Sequence, residues 1–498
     1  MISSSRRKAI TAGIMTGMFL AALEATIVGT AMPTVVAALG GLAHFSWVFS
    51  AYLLTSTVSV PIWGKLSDLY GRRVLYQVSI AVFLIGSVAS GLAQTMPQLI
   101  LWRALQGLGA GGLIPLGMTI IGDIYTLEER ARMQGLFSGV WGLSSVVGPL
   151  VGGFITDQLS WRWVFFINVP FGIAAAVIMG MALIEERPHT NPKIDYLGAT
   201  VLTVAVTLLM LMLVDGGSMS ALLSVRNIVL FVVVVAMIAW FLRIERRAAE
   251  PVIPLVLFRN RVVSLSMIIG FLAGVAMFGA ISFVPLFAQG SRGVSATAAG
   301  SFLTPLMLAW VSASIVGGRL LIRLGSRPLV VAGLVSMIAG FAGLTIATRH
   351  TPTIVLLIEL GIIGVGLGLT MLTLLIAVQH AVPRQQLGIA TSLNQFFRSI
   401  GGAIGVALLG AVLASSLSAH LHRELPAQQA GALTQNPSAL VDREAQLAVE
   451  PRVLDVLQES LARSIRAVFI TSGVVCVIAL FFALMLPRGR HVDQEEEG

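Results

Sequence analysis

Three ionisable side chains stand inside long apolar runs of this chain: Glu24, Arg103 and Glu359. A charge at membrane depth is costly, so such residues pair with one another, face a hydrated cavity or mark a transport pathway. A carboxylate in a low-dielectric site holds its proton more tightly through desolvation and less tightly beside a guanidinium. Glu24 can therefore bind a proton or a lipophilic cation, but poorly both together, and that competition couples two fluxes. A buried ion pair that only fixes helix packing is the other reading of Glu24 and Arg103. Glu359 has no motif around it and reads as a coupling residue, an accessory cation site or a group in a thin aqueous vestibule. Arg398, beside Asn394 and Gln395, reads as part of an interhelical polar network.

The elements that carry these residues follow from composition. Of 498 residues, 56% are hydrophobic and only 11% charged, with mean hydropathy +0.90. A soluble chain carries about a quarter charged residues, and disorder needs low hydrophobicity, so both classes are excluded. The net charge of +9 is scattered between apolar blocks without a continuous basic face, which argues against a nucleic-acid partner. Cys476, the single cysteine, lies in an apolar block and reads as packing. A membrane-spanning helix needs about 20 apolar residues. That ruler gives fourteen spans, near 9–32, 46–66, 74–95, 98–121, 134–156, 163–184, 196–214, 226–243, 262–287, 298–321, 328–348, 353–377, 387–413 and 464–486. The first follows Arg6-Arg7-Lys8 but is too long for a signal peptide and contains Glu24, so it reads as a membrane anchor.

Charge then sets orientation. With the N-terminus inside, the short outer loops hold only Arg162, Arg226, Arg292 and Arg349, while the inner side takes most basic residues, from Arg6 through Lys65, Arg130, Arg187, Lys193 and Arg243 to Arg488 and Arg490. Both termini are expected in the cytoplasm, with the chain in the plasma (inner) membrane. Glu24, Arg103 and Glu359 then lie at similar depth, about 8–14 Å below the outer surface.

The loop after the second span, Gly64-Lys65-Leu66-Ser67-Asp68-Leu69-Tyr70-Gly71-Arg72-Arg73, has a counterpart after the tenth, Gly318-Arg319-Leu320-Leu321-Ile322-Arg323-Leu324-Gly325-Ser326-Arg327. Glycines share the first and eighth places, and basic residues the second and tenth. This suggests duplication of a six-helix unit. The expected halves are 1–190 and 251–498, with two inserted helices in 191–250. The outer segment 415–463, with Leu447, Leu454, Leu457 and Leu461 at helical spacing, reads as a surface cap.

On these residues the chain resembles the major facilitator superfamily, in its fourteen-span drug:proton antiporter branch. The stretch Leu23-Glu24-Ala25-Thr26-Ile27-Val28 through Pro33 looks like that branch's first-helix signature, with Glu24 where the family usually has Asp. Gly64–Arg73 is similar to the superfamily's loop motif, and Leu101–Gly109 to its fourth-helix arginine motif. Gly142 through Gly153 resembles the fifth-helix motif of antiporters. Trp161–Pro170 is also typical of the branch. The match is looser in the second half. The resemblance implies an all-α major facilitator fold whose spans 1, 4, 9 and 12 surround a central cavity, so that Glu24, Arg103 and Glu359 converge. It also implies a conformational latch built from Asp68, Gly71, Arg72 and Asp123, one-sided because Ile322 replaces Asp68 in the second copy. Lys65 and Arg73 read as solvated. Gly148-Pro149 bends its helix, and Gly152 and Gly153 allow close approach, either as a leak-blocking interface between halves or as ordinary packing.

The expected function is proton-coupled export of hydrophobic, cationic compounds. Met15, Met18, Phe19, Met118, Phe278, Phe283 and Met307 are candidate adaptable lining. The partners are then a small hydrophobic substrate, protons and the bilayer. Gly107-Leu108-Gly109-Ala110-Gly111-Gly112 fits a dinucleotide pattern but follows no strand, so it reads as a packing surface. No Walker A, His-Glu-x-x-His or nucleophile-elbow sequence occurs. Neither an enzyme activity, a cofactor, a metal site nor ATP is therefore expected. A dedicated exporter or importer of a metabolite, siderophore or lipid is the nearest alternative; a non-transporting membrane sensor or scaffold is another.

Overall fold

The computed structural model describes residues 3–39, 45–184, 195–215, 224–248, 250–294, 296–426, 429 and 450–487. Among them there is no strand. The helices are α1 Ser4–Leu39, α2 Phe45–Tyr70, α3 Arg72–Gly91, α4 Met96–Ile124, α5 Leu127–Gln158, α6 Trp163–Phe166, α7 Asn168–Ala182 and α8 Tyr196–Asp215. They continue as α9 Val225–Glu245, α10 Arg261–Arg292, α11 Ala296–Ser301, α12 Thr304–Leu324, α13 Ser326–Ile346, α14 Thr353–His380, α15 Leu387–Glu424 and α16 Pro451–Leu484. Every one of the fourteen expected spans falls on helix. Twelve are long and apolar enough to cross a membrane by length and composition; α2 and α5, rich in Ser, Gly and charged residues, fall outside that set. The protein is an all-helical multi-pass membrane protein.

The described chain forms two compact units. The first takes residues 1–208, 233–264 and 375–396; the second takes 209–232, 265–374 and 397–498. Each has an apolar core. Ile14, Met18, Tyr76, Phe83, Leu113 and Met179 belong to the first, and Phe287, Leu306, Phe341, Leu360, Phe469 and Cys476 to the second. Met18 and Met118 are thus buried between packed helices, as is Phe283, which corrects their reading as cavity lining. Phe19 stacks edge-on against Phe171 at 5.8 Å.

The glycine-rich run of α4 explains how three helices of the first unit approach so closely. A Cβ at Gly107 would collide with Tyr52 O, and one at Gly111 with Ser56 O, both on α2. One at Gly109 would collide with Phe83 N, and one at Gly112 would sit 2.7 Å from Ser79 Cβ, both on α3. The run is therefore a two-sided packing surface, as expected. Gly109→Ala would press a methyl into backbone that no rotamer change can relieve. Overpacking of this kind costs about 1–3 kcal/mol, so a lower melting temperature in detergent is expected, and a wild-type value would refute the close approach.

The C-terminal end of α15 and the N-terminal end of α16 differ from the expectation. The segment 415–463 is not a separate cap where it is described. α15 runs on to Glu424 and α16 begins at Pro451, and their extensions pack through Leu417, Leu421, Leu457 and Leu461. Arg463 pairs with Glu424 at 2.8 Å and with Glu459 at 3.1 Å, while Arg349 reaches Asp455 at 2.7 Å. A sliding hydropathy window ends these helices early because charged residues enter them, although an ion-paired helix continues in water. Leu447 lies outside the described residues, as do Arg187, Lys193, Arg488 and Arg490.

Candidate functional site

Glu24 on α1 and Arg103 on α4 meet. Arg103 Nη1 donates to Glu24 Oε1, and both side chains are essentially inaccessible, at 0% and 1% exposure. The pair is enclosed by protein, not turned toward acyl chains. Arg103 Nη1 also donates to Gln106 Oε1 at 2.7 Å, and its Nε to Val48 O at 3.3 Å. The guanidinium lies 4.3 Å from the Tyr52 ring centroid, a cation–π arrangement that suits a desolvated Arg. The second carboxylate oxygen, Glu24 Oε2, accepts from Asn168 Nδ2 at 2.6 Å.

Asn168 and Gln106 both donate to Ser87 Oγ, at 2.9 and 3.1 Å, and Ser87 donates to Phe165 O at 2.8 Å. Pro170 supports this geometry. It lacks the N–H that Phe166 O would receive, and the helix is interrupted there, between α6 and α7, where Asn168 enters the site. Buried polar groups need partners, and this network draws them from α1, α2, α3, α4 and α7, leaving Asn168 Oδ1 without one among the described residues. Sequence reading found Glu24 and Arg103 but missed Gln106, Ser87, Asn168 and Tyr52. Asn168 was legible within the Trp161–Pro170 motif, and Gln106 as the residue one turn after Arg103; Ser87 and Tyr52 carry no sequence signal.

Glu359 belongs to the second unit, on α14. It is half-buried, and its carboxyl occupies the space that a Cβ at Gly343 of α13 would need. Asn394 is buried on α15, with Gln395 and Arg398 half-buried within the next turn; the Arg398 carbonyl abuts Gly274 of α10.

A second cluster forms where the loops 64–73, 122–130 and 379–391 meet in the first unit. Asp68 Oδ1 accepts from Gly388 N at 3.0 Å and Oδ2 from Ile389 N at 2.8 Å. These N–H groups open α15 and have no intrahelical partner, and a helix N-terminus favours an anion. Arg72 Nη2 lies 2.7 Å from Asp68 Oδ1. Its Nε donates to Asp123 Oδ2 at 3.0 Å and its Nη2 to Arg384 O at 3.3 Å. Burial pushes the Asp68 pKa up to about 6, against the lowering effect of Arg72 and of the Ile389 and Gly388 N–H groups. Asp68 thus pairs with Arg72, as the charge pattern suggests, and also with two backbone N–H groups that no charge pattern could reveal. Gly71 has φ 93 and Gly325 φ 77, a left-handed backbone that favours glycine, and each residue precedes a helix. The matched eighth-place glycines thus perform one backbone task in both loops. Among the described residues no carboxylate pairs with Arg319, Arg323 or Arg327.

Two residues of this loop correct their reading as solvated. Lys65 pairs with Glu250 at 2.7 Å, and Arg73 Nη2 donates to Gly180 O at 2.5 Å. Arg130, counted in the sequence only as an inner charge, donates through Nε to Tyr125 O at 3.0 Å and also to Gly122 O. It reaches Gln379 Oε1 at 3.5 Å. On α5, Gly148 is a close approach: a Cβ there would collide with Thr26 Oγ1 of α1. Gly152 is buried. Gly153 departs from its reading, since a Cβ there would meet nothing within 4 Å. The side chain of Pro149 lies outside the described residues.

The sequence model of the Major Facilitator Superfamily matches residues 14–406. The multidrug transporter protein MdtP of Bacillus subtilis is 39% identical, over 97% of this chain and 93% of its own. Multidrug resistance protein 3 of the same organism is 36% identical, over 97% and 96%. Among solved structures, the human organic anion transporter MFSD10 superposes with TM-score 0.63 at 14% identity, covering 97% of this chain and 100% of its own. The proton:xylose symporter XylE gives 0.59, also at 14% identity, covering 98% and 97%. These two likenesses speak for the fold. With a family match across most of its length and relatives well above 30% identity along nearly all of it, the chain belongs to the Major Facilitator Superfamily, a family of membrane transporters rather than enzymes.

Proposed function

We propose that this protein exports hydrophobic, cationic drugs or dyes across the plasma membrane in exchange for protons, by alternating access. The observation that carries the reading is the fully enclosed Glu24 carboxylate, held by Arg103 on one oxygen and Asn168 on the other. An enclosed carboxylate is the group for which proton and cation compete. When Glu24 takes a proton, its attraction for Arg103 falls and the network must rearrange; that rearrangement is the step by which proton binding reaches the cargo site. Glu359 is proposed as a second acidic group on the pathway, in the other unit.

In this reading Asp68, Arg72 and Asp123, with the first turn of α15, latch the cytoplasmic side while the site faces outward, and Gly71 shapes the loop that carries them. Gly148 sets the spacing of α1 and α5, in the motif that also contains Pro149, Gly152 and Gly153. Asn394, Gln395 and Arg398 are a polar network of α15. Both termini are cytoplasmic. The drug-transporting relatives named above support the cargo class.

The test is transport by the full-length protein in lipid vesicles with an acidic lumen. Lipophilic dyes and quaternary ammonium compounds are expected to accumulate, and a proton ionophore should abolish it. Accumulation only with an alkaline lumen would make it a symporter, and no proton-dependent movement of any panel member would remove the coupling.

A further inference from the structure

Between α9 and α10 the chain carries Arg243, Arg246, Arg247, Arg259 and Arg261 along with Glu245 and Glu250. The two acidic residues are already engaged. Glu245, 3% exposed, accepts from Val252 N at 3.2 Å and Ile253 N at 3.3 Å, while Glu250 pairs with Lys65. These contacts bring residues 250–253 back to the end of α9, and Val252, Ile253 and Leu257 are buried. The arginines are left out of these contacts. All five are exposed, and among the described residues no carboxylate pairs with any of them. The local charge that faces outward is thus larger than the sequence count implies, because its acids are already satisfied.

The surface beside them faces acyl chains. Only 17% of the apolar window of α9 is buried, and Val235, Ile238, Trp240 and Leu242 are exposed. An exposed Trp one turn before a charged helix end marks headgroup depth. Arg243 follows Trp240 by three residues, on the same helix face and within about 5 Å along the axis, and Arg246 and Arg247 follow in the turn beyond the helix end. Arg guanidinium matches phosphate oxygens in a bidentate fork.

We propose that the exposed arginines of this α9–α10 connection bind the phosphodiester headgroups of anionic phospholipids in the leaflet where α9 ends. The partner follows from charge complementarity together with the continuous apolar helix surface, which a soluble anion would leave unused. The inference needs the chain to be membrane-embedded but does not depend on what it transports.

Full-length protein in detergent, titrated with phosphatidylglycerol or phosphatidylcholine, tests it by native mass spectrometry of retained lipid. Each juxtamembrane arginine contributes about five-fold to anionic-lipid affinity at low salt. The triple variant Arg243→Gln/Arg246→Gln/Arg247→Gln is therefore expected to lose about 100-fold in affinity for phosphatidylglycerol. Phosphatidylcholine retention should not change. A charge-matched variant, Lys8→Gln/Arg319→Gln/Arg323→Gln, should keep wild-type retention. Equal loss in both triples would show that net charge alone attracts the lipid, and unchanged retention in the first would show no site; either overturns the proposal. Inorganic phosphate is the second arm. If phosphate without lipid raises the melting temperature as much as phosphatidylglycerol, and the first triple abolishes the rise, the connection is a soluble-anion site instead.

Discussion

A Glu24→Gln variant is expected to lose proton-driven efflux entirely and to bind cationic cargo more weakly. The amide oxygen can still accept from Arg103, but the amide nitrogen would face the Asn168 donor and cannot exchange a proton. The structure adds a second consequence. Arg103 is enclosed, and Glu24 is the acid its guanidinium contacts, so the variant leaves a buried charge uncompensated. Breaking such a pair by removing one partner costs about 3–5 kcal/mol, enough to reduce folded protein in the membrane. The double variant Glu24→Gln/Arg103→Met separates the two effects. Removing both charges is close to neutral for packing, so folded yield and melting temperature should recover while transport stays absent. Glu24→Asp, which keeps the charge on a shorter arm, should retain part of the activity. The measurement is dye efflux from vesicles under an imposed pH gradient, beside melting temperature in detergent. Wild-type efflux in the single variant would remove Glu24 from coupling. Restored efflux in the double variant would reduce the pair to a structural role.

Asp68→Asn carries the other large expected effect, with the opposite division between stability and activity. The Asp68 pKa of about 6 lies above the ordinary 3.8, so the folded state holds the proton more tightly than the unfolded chain. This group's contribution to stability is then full below about pH 4 and is lost as pH rises through about 6, by about 3 kcal/mol. At pH 7.5 the ionised carboxylate is a net cost to the fold. The neutral amide in its place should leave the melting temperature at that pH unchanged or higher and flatten its dependence between pH 4 and 7. The latch suffers instead. An amide offers one acceptor oxygen to the two N–H groups of Gly388 and Ile389 and no charge to Arg72. Hydrogen bonds to charged groups contribute about 1.5–3 kcal/mol, so the latched population should fall about 10- to 100-fold and turnover with it. A destabilised Asp68→Asn protein with normal turnover would assign Asp68 to folding alone.

Much of this molecule was legible before any coordinates. The fourteen apolar blocks map onto helices because lipid gives a backbone no alternative partners. The acid and the arginine were visible because a charge in such a block is costly enough to need a reason. The loop glycines were visible because a shared spacing, with left-handed backbone at Gly71 and Gly325, is hard to reach by chance. The weakest reading was of polar residues that complete a site without standing out. Ser87 sits among many serines of apolar helices, and only its position between Gln106, Asn168 and Phe165 O distinguishes it.

By itself, then, the amino-acid order determined the class, the helices, the expected orientation and two members of the buried site. These depend on local quantities, namely hydropathy, charge and spacing along one chain. Tertiary structure alone decided that Asp68 is answered by the amides of Gly388 and Ile389, that Lys65 is answered by Glu250, and that Glu245 and Glu250 are engaged by groups other than the five exposed arginines near them. Each of these joins residues through backbone groups or helix ends brought together in three dimensions. A backbone N–H has the same formula at every position, so nothing in a sequence marks which one a distant carboxylate will find.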